Sequence, residues 1–213
     1  MGLKVNDLLK IKDVSDLIGD FTDSTWINEA VKGAPLVVVR CAPLINDMVP
    51  VGIRGTNRSQ RCAATILCSS IVKIITPEQL AEGKLWRTSK HIRETHIFKT
   101  LEAVDSILGS HDITWGPTGS VGFELASGVE TVTPTSDLDV VIRVPSILSV
   151  KTGKDITKDL LTVPTKVDIQ LETPKGSVAL AEYARGDSPV LVRTVNGPKL
   201  VKNLWSENEN LEG

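Results

Sequence analysis

Three acids and one glycine turn are the residues of this sequence whose types and spacing could do chemistry. Asp137 and Asp139 lie two apart at the head of an apolar run that ends at Val144. Strand alternation points both carboxylates to one face. Two like charges so placed repel, and a divalent cation relieves them, since Mg²⁺ takes carboxylate oxygens together with substrate phosphates and waters. An Asp-x-Asp pair taken alone reads first as a turn residue followed by a solvated strand position, and only its context changes that. The turn Gly116-Pro117-Thr118-Gly119-Ser120 follows a strand signal and opens a helix. Backbone N–H groups at such a start have no helical partner and can hold a phosphate, the alternative being a glycine turn with Ser120 as a cap. Asp168 is the third acid. From Lys166 to Glu172 the chain alternates, with Val167, Ile169 and Leu171 on one face and Asp168, Gln170 and Glu172 on the other. If that strand pairs beside the Asp139 strand, the three carboxylates meet.

The elements that must position these residues are legible from pattern. Residues 34 to 75 are rich in β-branched and apolar positions broken by Pro and Gly, which reads as strands at Pro35 to Val39, Val49 to Ile53 and Ile71 to Ile75. Thr76-Pro77-Glu78-Gln79 is a helix start, with a capping threonine, proline at the first helical position and glutamine closing a capping box. From Ser89 to Leu108, the spacing of Ile97, Leu101, Val104 and Leu108 predicts one long helix stopped by Gly109. Beyond it the order is strand, turn, helix, strand. The expected class is α+β: a small strand-rich domain over 1–84, then a second domain over 85–213 with a mixed sheet and helices on one side.

Composition narrows the function. A chain of 213 residues with 41% hydrophobic and 23% charged residues can bury a full core. A net charge of −2 argues against a protein that holds long nucleic acid by bulk electrostatics, so any phosphate binding must be local. The absence of a signal-like start or a membrane-length apolar run gives the expectation of a cytoplasmic protein with no membrane partner. Cys41, Cys62 and Cys68 have no metal-ligand spacing and read as buried thiols.

The Gly-Ser turn, the acidic pair on a strand and the third acid on a later strand resemble the polymerase-β-like nucleotidyltransferase superfamily. The resemblance implies that Gly119 and Ser120 hold nucleotide phosphates, and that Asp137, Asp139 and Asp168 bind Mg²⁺ or Mn²⁺ and carry catalysis. Asp168 would be the group that assists deprotonation of the incoming hydroxyl. The interval from Ser120 to Asp137 is longer than that signature usually has, and the loop from Gly128 to Thr135 would be an insertion. Longer strings narrow the resemblance: VPVGIRGTNRSQRCAA from position 50, WGPTGSVGFELASG from 115, SDLDVVIR from 136 and VDIQLETPKGSVALAEYARG from 167. From about residue 34 to Trp205, these are similar to the malonate decarboxylase holo-acyl-carrier-protein synthases, also called phosphoribosyl-dephospho-CoA transferases. That family implies a triphosphoribosyl-dephospho-CoA donor, an acceptor serine on the malonate decarboxylase acyl carrier protein, and release of pyrophosphate. The competing expectations are the same fold acting on another acceptor, or a non-catalytic carrier-protein or nucleotide-binding module.

Arg54, Arg58 and Arg61 fall within eight residues in the first domain. Arginine suits bidentate phosphate contacts, and a polyphosphate donor offers many acceptors. An exposed charged turn is the simpler reading of so small a cluster. Lys166, Lys199 and Lys202 read as solvent-facing, no histidine is assigned to catalysis, and Glu124 is read as a helix-start acid that complements the dipole.

Overall fold

The computed structural model describes residues 2–21, 25–56 and 59–206. The first part of the chain runs β1 (Leu8–Lys10), α1 (Ile27–Gly33), β2 (Leu36–Val39), β3 (Met48–Arg54), β4 (Arg61–Leu67) and β5 (Lys73–Ile75). The strands form one antiparallel sheet in the order β4-β3-β2-β1-β5. Period-2 alternation gives it two unlike faces. Leu9, Val37, Val39, Val51, Ile53, Ala64 and Ile66 bury on one face with Ile27 and Val31 of α1. The other face carries Leu8, Leu36 and Val38, which pack on Phe123 of the second domain.

Helix α2 (Pro77–Glu82) begins where the sequence places it. Thr76 Oγ1 accepts from the Gln79 amide at 3.3 Å, and Gln79 Oε1 accepts from the Thr76 amide at 3.0 Å. The long helix expected over 89–108 is instead two: α3 (Lys90–Arg93) and α4 (His96–Ser110). Ser89 caps the first by accepting from the Ile92 amide. Thr95 then takes extended backbone angles and its hydroxyl donates to the Ile92 carbonyl, which ends one helix before the next begins. Apolar spacing registers the shared buried face but not this local competition from a threonine side chain.

The second sheet contains β6 (Trp115–Pro117), β7 (Leu138–Arg143), β8 (Val167–Thr173), β9 (Gly176–Ala179), β10 (Val190–Thr194) and β11 (Gly197–Val201), in the order β11-β10-β9-β8-β7-β6. Helix α5 (Gly119–Ser127) joins β6 to β7, α6 (Val150–Asp159) crosses from β7 to β8, and α7 (Leu180–Tyr183) follows β9. The sheet is mixed: β7 and β8 are parallel, and the other neighbours are antiparallel. Leu138, Val140 and Ile142 of β7, with Ile169 and Leu171 of β8, pack beneath Ile97, Leu101 and Leu108 of α4 and Ile156 of α6. Each fully buried aliphatic side chain contributes about 1.5–3 kcal/mol. With the helices holding that face, alternation leaves Asp139, Val141, Arg143, Asp168, Gln170 and Glu172 on the other.

Candidate active site at the interface of two sheets

The parallel register of β7 and β8 makes Asp139 and Asp168 direct partners. Adjacent strands lie about 4.8 Å apart, so the two carboxylates leave the sheet side by side. Asp137 stands just before β7, half-buried. Gly119 meets them from the other side: its φ is +59°, and a Cβ built on it would fall on the Asp139 carboxylate. Glycine is required there twice over, for the left-handed backbone and for the close approach. The turn is tied to β7 by the Thr118 amide, which donates to the Asp139 carbonyl at 2.8 Å. Ser120 follows at the first turn of α5, and its carbonyl accepts from Thr131 Oγ1 at 2.9 Å.

Like charges directly opposite on neighbouring strands repel. Lys166 answers part of that charge, its Nζ lying 2.7 Å from Asp168 Oδ2. This hydrogen bond, with the nearby charges of Asp137 and Asp139, pushes the Lys166 pKa up. Lys166 is solvent-facing, as expected, and from two residues before Asp168 it also reaches that carboxylate. Among the described residues, no three His, Cys, Asp or Glu side chains stand close enough to hold a metal by themselves. The donor chemistry nevertheless fits Mg²⁺, which is commonly held by one or two carboxylates completed by substrate phosphates and water. Asp139 with Asp168 or Asp137 supplies hard oxygens of that kind.

The loop from Gly128 to Asp137 is held by a group that the sequence does not single out. Glu124 is 3% exposed, and its Oε2 accepts from the amides of Thr131 at 2.8 Å and Val132 at 2.9 Å. His91 Nδ1 lies 2.8 Å from its other oxygen. Glu124 lies past the first turn of α5, so it is not the helix-start acid expected; its role is to brace the segment that delivers Asp137.

The two domains meet over a cavity of about 500 Å³. Gly119, Asp139 and Phe123 line it from one side, and Arg40, Arg54 and Arg61 from the other. Arg54 lies over the Phe123 ring, with its guanidinium carbon 6.0 Å from the centroid. Two of the three sequence-predicted arginines are therefore brought to the predicted turn and acid; Arg58 lies outside the described residues. A second cavity of about 870 Å³ adjoins the first, sharing Asn6, Arg61, Thr118, Gly119 and Asp139 and running on past Lys175 and Arg193. The cysteines correct an expectation: Cys41 and Cys68 are exposed and Cys62 is half-buried, because strand ends and a turn carry them rather than the core.

Fold and site define a two-sheet α+β protein in which arginines of one sheet face carboxylates of the other across a shared cavity. The family models that match are described as the N-terminal domain of phosphoribosyl-dephospho-CoA transferase MdcG, over residues 4–77, and its C-terminal domain, over residues 84–204. The likeness thus reaches well before residue 34. Among relatives named phosphoribosyl-dephospho-CoA transferase, one from Pseudomonas putida is 35% identical over 96% of both chains. One from Pseudomonas syringae pv. tomato is 34% identical over 84% of this chain and 83% of its own length. One from Azotobacter vinelandii is 34% identical over 88% of both. No solved structure matches the chain significantly. The chain belongs to the phosphoribosyl-dephospho-CoA transferase family and is an enzyme, a transferase.

Proposed function

We propose that this enzyme transfers the phosphoribosyl-dephospho-CoA group from triphosphoribosyl-dephospho-CoA to a serine hydroxyl of the malonate decarboxylase acyl carrier protein. The observation that carries the reading is the meeting of Gly119, Asp139, Arg54 and Arg61 around one cavity, with Asp168 the register partner of Asp139. The arrangement is that of the polymerase-β-like nucleotidyltransferases in its order of turn and acids.

The serine oxygen forms a bond to the phosphorus of the donor triphosphate nearest the ribose, and the bond to the next phosphate breaks. Pyrophosphate leaves with the electron pair of that bond. Asp168 takes the serine proton, and Lys166 keeps the carboxylate oriented through its 2.7 Å contact. Backbone amides at the start of α5, with Gly119 and Ser120, hold the phosphates, while Arg54 and Arg61 bind the triphosphate from the facing sheet. Arg58, between these two arginines in sequence, is proposed as a third phosphate contact on the strength of that position alone. Asp137, Asp139 and Asp168 would hold Mg²⁺ or Mn²⁺, which when bound supplies neutralisation of charge on the reacting and departing phosphates. The site would work in the cytoplasm, where the donor and the carrier protein would meet it.

Intact-mass measurement tests this directly. Wild type incubated with Mg²⁺, triphosphoribosyl-dephospho-CoA and the carrier protein should add one phosphoribosyl-dephospho-CoA group to the carrier, and Asp137→Ala should add none. No addition by wild type, with an active relative as control, would reject the carrier as acceptor.

A further inference from the structure

The cavity between the domains has a floor unlike the rest of the first sheet. Leu8 pairs with Val38, Val38 with Gly52, and Gly52 with Ala63, so these four form one row straight across β1, β2, β3 and β4. All four line the cavity. Beyond Val38 the row carries no side chain longer than a methyl group, and a Cβ on Gly52 would press on Val38 Cγ1 at 3.2 Å and meet the stem of Arg40 at 3.5 Å. The result is a flat strip of peptide and small apolar groups, with Phe123 and Leu80 among the residues lining the cavity with it.

Arginine flanks this strip on both sides along the strand direction. Arg54 and Arg61 are direct register partners one step along the same face from Gly52 and Ala63. On the opposite flank the Arg40 amide donates to the Pro50 carbonyl, and the exposed Arg40 side chain lines the same cavity. From Pro50 to Arg54 the strand spans about 13 Å. A cavity of about 500 Å³ is in the range of small-molecule sites, which run about 300–1,000 Å³.

We infer that this strip is the seat of the donor's adenosine, the base lying flat on the Val38–Gly52–Ala63 row with an anionic group on each flank. The inference rests on the transfer reaction proposed above, whose donor carries phosphates on both sides of one adenosine: the diphosphate of the dephospho-CoA arm and the triphosphate reached through the second ribose. Arg61, which also lines the second cavity with Gly119 and Asp139, faces the triphosphate; Arg40 receives the diphosphate. Gly52 and Ala63 act as specificity-determining positions, since side-chain bulk there would occupy the place of the base.

Ala63 and Arg40 are both exposed, so substitutions there leave the core intact. Affinity for dephospho-CoA and for inorganic triphosphate should be measured by calorimetry on the full chain, with melting curves as a folding check. Ala63→Leu should weaken dephospho-CoA binding by about tenfold or more, equivalent to about 1.4 kcal/mol, and leave triphosphate binding unchanged. Arg40→Ala should weaken dephospho-CoA binding while sparing triphosphate. Wild-type affinity for dephospho-CoA in both variants overturns the adenosine seat, whatever the carrier assay gives. Should Ala63→Leu lose dephospho-CoA selectively while wild type fails to modify the carrier protein, the seat stands as a nucleotide site and the acceptor reading fails alone.

Discussion

Asp139 and Asp168 stand opposite one another on parallel strands, an arrangement that weakens the fold for as long as both are ionised. Lys166 offsets part of the repulsion through an exposed contact, and exposed pairs of this kind contribute little, about 0–1 kcal/mol. Asp168→Asn should therefore lower carrier modification by on the order of 10²–10⁴, while leaving the melting temperature unchanged or raised. A clear loss of melting temperature would instead make Asp168 a structural residue. Gly119 carries the opposite expectation. Gly119→Ala places a side chain at φ +59° against the Asp139 carboxylate, and should cost about 1–3 kcal/mol in denaturant unfolding as well as activity. These residues were legible in the sequence because a two-residue period and a glycine turn are local properties.

At the scale of an element, the loop from Gly128 to Asp137 owes its course to one buried carboxylate. Glu124→Ala would leave the Thr131 and Val132 amides without their acceptor, each costing about 1–3 kcal/mol if no water replaces it. Amide exchange at those two residues should accelerate and transfer should fall, since the same segment carries Asp137. His91 adds a pH dependence. Its hydrogen bond to Glu124, with the charges of Glu124, Glu130 and Glu94 nearby, raises its pKa above the ordinary 6.5. Folding therefore favours the charged ring, so the stabilisation is complete below pH 6.5 and is lost as pH rises through the raised value. The stability difference between wild type and His91→Gln should shrink across that window; a difference independent of pH would show that the ring's charge is not linked to folding. In sequence, Glu124 looked like a helix-start acid, because nothing local reveals which amides will fold back onto its oxygens.

Across the whole molecule the two domains are joined by Arg143, 12% exposed at its side chain. Its guanidinium donates to Asp7 at 2.8 Å, Glu78 at 2.7 Å and Glu172 at 2.9 Å, and to the Val5 carbonyl at 2.8 Å. One residue of β7 thus grips the N-terminal segment, helix α2 and β8, two positions past Val141 on the face that bears Asp139. Burial disfavours the Arg143 charge, but hydrogen bonding to Glu172 and the surrounding acids outweigh it and raise its pKa. Burial likewise pushes the Glu172 carboxyl up, against the pull of Arg143. Arg143→Ala strands three acids at a domain junction and should destabilise the protein by about 3–5 kcal/mol. Calorimetry should resolve two unfolding transitions in place of one, and the affinity for dephospho-CoA should fall because the cavity loses its fixed wall. A single transition at the wild-type temperature would remove Arg143 from that role.

The sequence by itself determined the α+β class, the capped start of α2 and the faces of β7 and β8, and it singled out Gly119, Asp137, Asp139 and Asp168 as candidates, because each follows from spacing within one segment. The family resemblance was equally a matter of sequence, carried by long strings in order. Tertiary structure decided the rest: that β7 and β8 are neighbours in parallel register, that Arg40, Arg54 and Arg61 line one cavity with Asp139, and that Arg143 joins the N-terminal segment and α2 to β8. Those facts depend on pairing between distant segments, and pairing is set by how two apolar faces find a common interior, a quantity that no single stretch of residues contains.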